Sequence, residues 1–494
     1  MTGNATVLTR GNAAARTREN REYVRSLLKV RQPRFTAALE SATRELLRDH
    51  RNGRRLVGEE YLMTDGSVMT SSATTGCAGA SQHPLLSGAL KDRALHLAGA
   101  LAGTLRPASA AGRRDVSLAS GSAGLAVCSG QLAWTRCDPR AADAALTRLE
   151  EAVAALATQP LTSSLYSGFT GIAWAVELVD RLLGAEGEGR GGDIDDALTS
   201  LLRRYPEDAP YDLINGLTGL GVYALARWPR PGAEPLVLGV VEQLARRARH
   251  DRDGVSWWTP PSWRGPRREQ YWPGGVDLGV AHGIAGVIPF LARVHRLGLA
   301  RQTVRPLLDG AVRWLLAHLA DTPSGPTVPY FAADGVEPGP ARSAWCYGDP
   351  GVAAALLLAA RDAGEPAWAA AATGLAVRAA ARPPGQTGVT DAGLCHGSAG
   401  LAHLFNRMHQ MTAEPALAEA ARFWVERTVE LCSAMAPGRG ATLTEVARPA
   451  WKGPGLLEGA AGVALAMEAA ATTAEPVWDQ MLLVSAAGTP GAQA

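Results

Sequence analysis

Seven segments of this 494-residue chain repeat one pattern: Gly-x-x-Gly, then a run of small apolar residues. They read SGSAGLAV from Ser120, SGFTGIAW from Ser167, NGLTGLGV from Asn215, HGIAGVIP from His282, YGDPGVAA from Tyr347, HGSAGLAH from His396 and EGAAGVAL from Glu458. Their first glycines (Gly121, Gly168, Gly216, Gly283, Gly348, Gly397 and Gly459) lie 47 to 67 residues apart. That spacing holds two helices and their loops, with insertions in the longer intervals. Glycine at the mouth of each helix permits positive φ and close backbone approach. The Ala/Leu/Val runs that follow have no polar face, so each predicts a helix buried on most sides. Between them lie amphipathic stretches such as 142–158 and 416–435, with charge on one face and apolar residues on the other. Alternating buried and amphipathic helices predict an all-α fold, an α,α-toroid in which inner helices are ringed by outer ones. An open solenoid is the alternative, and the fully apolar inner helices argue against it. In the toroid, the residues just before each Gly-x-x-Gly converge at one mouth of the ring.

Composition fits close helix packing. Hydrophobic content is 47% with only 6% aromatic, so small aliphatic side chains carry the core. Lys+Arg number 49 against 47 Asp+Glu, which offers no basic field for nucleic acid. Six cysteines in so long a chain do not make a disulfide framework. The opening residues lack an apolar core, and no long apolar stretch is free of charge and breakers, so neither a secretory signal nor a membrane span is expected. A reducing, cytoplasmic setting is the expectation. The Ala/Arg/Gly-rich composition suggests a GC-rich bacterial source.

At the converging edge of the repeats stand Cys346, in AWCYGDPG, and Cys395 with His396, in GLCHGSAG. Two thiolates and an imidazole are a soft donor set suited to zinc, and three protein ligands leave the fourth tetrahedral position open. Taken alone, the two cysteines could equally be core residues. The repeat changes that, because all three occupy the equivalent edge of the fold. His282, immediately before Gly283, and Asp212, four residues before Gly216, share that edge.

From about Ala89 to its end the chain resembles the LanC-type lanthionine synthetase cyclases. The resemblance rests on the seven repeats and on AHGIAG, WCYGDPG and LCHGSAG in that order. It implies one zinc ion per chain held by Cys346, Cys395 and His396, an acid/base role for His282, and an essential Asp212. It also points to Arg342, four residues before Cys346, and to the aromatic Tyr347 after it. The implied reaction adds a peptide Cys thiol to a dehydroalanine or dehydrobutyrine of the same peptide, closing a lanthionine or methyllanthionine ring in lantibiotic biosynthesis. The implied substrate is a dehydrated precursor peptide with its leader. Because no dehydratase domain is recognisable here, a separate dehydratase partner is expected.

That chemistry needs a thiolate near neutral pH and a proton for the enolate formed after attack. Thiol bound to zinc is deprotonated, and two protein thiolates weaken the metal's Lewis acidity, so a bound substrate sulfur stays nucleophilic. An imidazole can supply and recover the proton. Asp212 could orient His282, stabilise its charged form, take the thiol proton, or serve only as a helix cap. Arg342 could hold the enolate oxygen or a substrate carbonyl, pair with Asp212, or lie on the surface. Tyr347 could simply wall the site, and Glu458 reads as structural.

Residues 1–85 read as an extension, with one or two charge-rich helices over 17–50 and a small, polar linker over 63–84. The cyclase domain is expected over 86–494. The Ser/Thr residues before Cys77 look only superficially like a lanthipeptide core. Two competing classes remain. A toroid prenyltransferase would need an Asp among its zinc ligands, and a toroid glycosidase needs paired carboxylates in the bowl. A non-catalytic scaffold of the same family, with structural zinc, would not need His282 and Asp212.

Overall fold

Each Gly-x-x-Gly turn opens a helix that is buried almost all round. In the computed structural model the described residues are 82–484, except 106–108, 111–112, 157–158, 160, 184–191, 265–273, 337–338 and 434–450. The inner helices are α2 (Ser122–Arg136), α4 (Phe169–Leu182), α6 (Leu217–Arg227), α8 (Ile284–Arg296), α10 (Asp349–Ala363), α12 (Ser398–Thr412) and α14 (Ala460–Ala471). The outer helices are α1 (Gly88–Thr104), α3 (Pro139–Ala155), α5 (Gly192–Leu202), α7 (Ala233–Arg247), α9 (Arg301–Ala317), α11 (Pro366–Ala381) and α13 (Pro415–Ser433).

Every inner helix packs on the next, and α14 packs back on α2, so the ring closes into an α,α-toroid. Closure takes the outer helix of the last repeat from the other end of the chain: α1 lies on α14. The chain joins the ring from Gln82, whose N–H donates to Thr473 at 3.0 Å. Residues 82–85 therefore belong with the toroid. The rest of the expected extension, including Cys77, lies outside the described residues.

Local sequence explains the outer layer. Helix α3 starts with Asp138, whose carboxylate accepts the Arg140 N–H, followed by Pro139 at the first helical position. Ala142, Ala145, Leu146, Leu149, Ala152 and Val153 then fall on one buried face.

The glycines act through space rather than through φ. Only Gly348 among the seven first glycines has positive φ, at 86°. The other six are extended, which any residue can adopt. What excludes a side chain is backbone contact. A Cβ on Gly168 would lie 2.2 Å from the Thr162 carbonyl oxygen, and one on Gly171 would lie 1.9 Å from that of Leu165. The inner helices are also less apolar than their sequences suggested: Glu177, Asp180, His403, Asn406, Arg407 and Glu468 are buried on them.

Some of these charges hold a plug. The C-terminal segment turns back into the ring through a 3-10 turn over Val477–Leu482, burying Trp478, Met481 and Leu482. Asp479 meets His403 Nε2 at 3.0 Å and Arg407 Nε at 2.9 Å. From the inner turns, Tyr166 donates its hydroxyl to the Met481 carbonyl at 2.7 Å, and Trp345 donates its indole N–H to that of Leu482 at 2.9 Å.

The two longest repeat intervals carry a small antiparallel sheet that sequence reading did not foresee. Strands β1 (Trp258–Thr259), β2 (Gly275–Asp277) and β3 (Phe331–Ala332) pair in that order. Strand β2 leads directly into the turn of His282. Among the described residues no helix is long and apolar enough to cross a membrane.

Candidate active site

A belt of backbone hydrogen bonds joins neighbouring turns at the mouth of the ring. Ile214 donates to Ala281 at 3.3 Å, Ala281 to Cys346 at 3.4 Å, Trp345 to Cys395 at 3.1 Å and Cys395 to Leu457 at 2.7 Å. Leu456 carries the belt on to Ala119 at 2.8 Å, and Ala119 donates to Tyr166 at 2.9 Å. These bonds run through Cys346 and Cys395 and beside His282, Tyr347, His396 and Glu458, with Asp212 two residues from Ile214; Arg342 stands outside the belt. Residues far apart in the chain are thus held at fixed offsets by backbone, not by flexible side chains.

Cys346, Cys395 and His396 gather at this mouth, their donor atoms all within 4.8 Å of one another. Ligands about 2.0–2.3 Å from a tetrahedral zinc stand roughly 3.5–3.8 Å apart, so the trio fits such an ion with little adjustment. Cys346 is buried, and Cys395 and His396 are partly buried. The three share protons unequally. The hydrogen bond from the Cys395 thiol pulls Cys346 below the usual thiol range, against its burial, and His396 adds to the effect. The same bond, with burial, pushes Cys395 well up. His396 is raised chiefly by its hydrogen bond to Cys346.

Beside the trio, Asp212 Oδ2 lies 2.6 Å from His282 Nδ1, while Oδ1 accepts the Asn215 N–H at 2.6 Å. One carboxylate therefore caps its own turn and orients an imidazole 70 residues away. Asp212 is buried and the His282 side chain is 33% exposed, so the imidazole reaches the open mouth from a fixed base.

Arg342 does not pair with Asp212. Its guanidinium points to the Gly388 carbonyl at 3.5 Å, and its positive charge acts on both Cys346 and Cys395. The Tyr347 hydroxyl donates to the buried carboxylate of Asp277 at 2.9 Å, and its ring stands 6.4 Å from that of His282. Asp277 escaped the sequence reading, as did Asp391. A signal existed: Asp115, Asp277 and Asp391 each stand six residues before a first glycine. Each accepts the N–H two residues on, at 2.9, 2.8 and 2.9 Å. In the fifth repeat that position is Arg342. Glu458, read as structural, has Oε1 3.6 Å from His396 Nε2.

A closed ring of seven helix pairs, with a thiol, thiol and imidazole cluster beside a carboxylate–imidazole pair, defines a class. The family model of lanthionine synthetase C-like proteins matches residues 112–483, and the chain belongs to that family. Among solved structures it is similar to nisin cyclase, at 21% identity and a TM-score of 0.60, over 75% of this chain and 92% of that one. At that identity the likeness establishes a common fold. The matched region leaves out α1, which the ring nonetheless uses.

Proposed function

We propose that this protein is a zinc-dependent lanthipeptide cyclase, forming lanthionine and methyllanthionine rings in a dehydrated precursor peptide. The observation that carries this reading is the Cys346, Cys395 and His396 cluster within 4.8 Å, beside the Asp212–His282 pair. Cys346, Cys395 and His396 would hold the ion. When bound, zinc would stabilise the thiolate form of a substrate cysteine near neutral pH.

The rest of the chemistry falls to this chain's residues. In the reaction the substrate S–H proton leaves, a bond forms from sulfur to the β-carbon of the dehydro residue, and the enolate takes a proton at its α-carbon. Mass is unchanged. Nδ1–H of His282 donates to Asp212, which leaves Nε2 to exchange protons with substrate. Asp212 stabilises the imidazolium that results. Arg342 supplies positive charge for the enolate oxygen or a substrate carbonyl. Tyr347, with its hydroxyl committed to Asp277, walls the site rather than donating a proton. A separate dehydratase would supply the dehydro residues, and the leader of the precursor would accompany the substrate in the cytoplasm.

The test is mass spectrometry of a dehydrated Ser/Thr/Cys peptide after thiol alkylation. Loss of alkylatable cysteine without change in mass is cyclisation. Cysteines that stay alkylatable beside protein that binds the peptide would instead mark a non-catalytic scaffold.

A further inference from the structure

The second nitrogen of His396 faces two carboxylates. Nε2 lies 3.7 Å from Asp391 Oδ2 and 3.6 Å from Glu458 Oε1. Each acid is anchored through its other oxygen. Asp391 Oδ1 accepts the Gly393 N–H at 2.9 Å, and Glu458 Oε2 takes the Lys452 ammonium at 2.9 Å. Neither can swing away without breaking a bond it already makes. The turns that carry them are tied by the hydrogen bond from Cys395 to Leu457 at 2.7 Å. They also touch closely, since a Cβ on Gly393 would come within 3.2 Å of the Glu458 Cα. An imidazole presents its two nitrogens on different edges. An imidazole whose Nε2 is engaged by the acids would have Nδ1 to offer a metal.

We propose that Asp391 and Glu458 are positioning residues for the metal centre: they accept Nε2–H of His396 and so fix Nδ1 as the metal-binding nitrogen. The separations are about half an ångström beyond an ordinary hydrogen bond, a gap closed by a small ring rotation or one bridging water. A ligating histidine whose other N–H is held by a carboxylate keeps its tautomer and gains basicity, and losing that partner typically weakens metal binding about 10- to 100-fold. The inference rests on the zinc reading above.

The test uses the full chain, stripped of metal, as wild type, Asp391→Asn, Glu458→Gln and the double variant. Asn keeps an oxygen for the Gly393 N–H, and Gln keeps the length of Glu458. Zinc dissociation constants come from chelator competition. Unfolding temperatures of the metal-free proteins are measured alongside. The expected result is at least a tenfold weaker zinc affinity in the double variant, with metal-free unfolding temperatures unchanged. A double variant that holds zinc within twofold of wild type overturns the assignment while leaving the cyclase reading intact. A metal-free unfolding temperature that falls in step with affinity also overturns it, because the acids then act only on the fold. Wild type that takes up no zinc overturns both.

Discussion

The Asp212 carboxylate and the His282 imidazole meet at 2.6 Å from turns belonging to the third and fourth repeats. Backbone sets this relationship: Ile214, two residues past Asp212, donates to the carbonyl of Ala281, just before His282. The pair is therefore in place before substrate arrives.

Removing either member should slow cyclisation without emptying the metal site. His282→Ala is expected to lower the rate on the order of 10²–10⁴-fold, the usual worth of a positioned acid/base. Asp212→Asn keeps an acceptor for the Asn215 N–H, so its loss of rate reports on the imidazole rather than on the turn. Rates of thiol consumption, with zinc content measured in parallel, check both. Wild-type rates in either variant would remove the pair from the mechanism.

Tyr347→Phe separates packing from chemistry. The ring remains against the site, while Asp277 loses a donor in a fully buried place. The expected cost is about 1–3 kcal/mol of stability. Cyclisation should fall far less than in His282→Ala. Denaturant unfolding and single-turnover rates measure the two effects. A rate loss equal to that of His282→Ala would make the phenol a reacting group.

Zinc uptake should release protons. Cys395 and His396 are both pushed up in the metal-free trio, which favours their protonated forms, and metal binding must displace those protons. Affinity then rises with pH and weakens as pH falls, with about one or more protons released per ion near neutral pH. Calorimetry in buffers of different ionisation enthalpy counts them. An affinity independent of pH between about 6 and 8 contradicts the proton sharing.

The plug should matter to stability. Asp479→Ala leaves His403 and Arg407 buried with one fewer partner, a change expected to cost about 3–5 kcal/mol. Because Trp345 adjoins Cys346 and bonds to the plug, zinc affinity should fall as well. Unfolding curves and chelator competition test this. Unchanged stability would mean that the segment merely rests in the ring.

Much of this was legible because the Gly-x-x-Gly turn leaves its mark on every repeat. Most of its glycines are dictated by carbonyls six residues back, so the pattern appears wherever the turn does. Cys346, Cys395 and His396 could be placed at one edge for the same reason. Other features left weaker marks. The closure of the ring by α1 depends on a helix with no glycine turn of its own. The plug is one short segment without a repeat partner, and the residues of α12 that hold it, His403 and Arg407, fall in a run read as having no polar face. Asp277 and Asp391 were hidden because their ordinary work, accepting an N–H two residues on, also occurs at Asp115, in a repeat that supplies none of the candidate site residues. Of the glycine expectation, positive φ held only at Gly348 while close backbone approach held throughout, because extended backbone in crowded space produces the same residue preference as a left-handed turn.

The central claim is that the ring gathers three protein donors around one ion and leaves a place for a substrate sulfur. X-ray absorption at the zinc edge, with metal content per chain, tests it most directly. The account predicts one zinc per chain, bound by two sulfurs and one histidine nitrogen, with a light fourth ligand that becomes a third sulfur when a cysteine peptide is added. It also predicts that Cys395→Ala loses the metal. Protein without stoichiometric zinc, or with a fourth protein ligand that no thiol displaces, would contradict it.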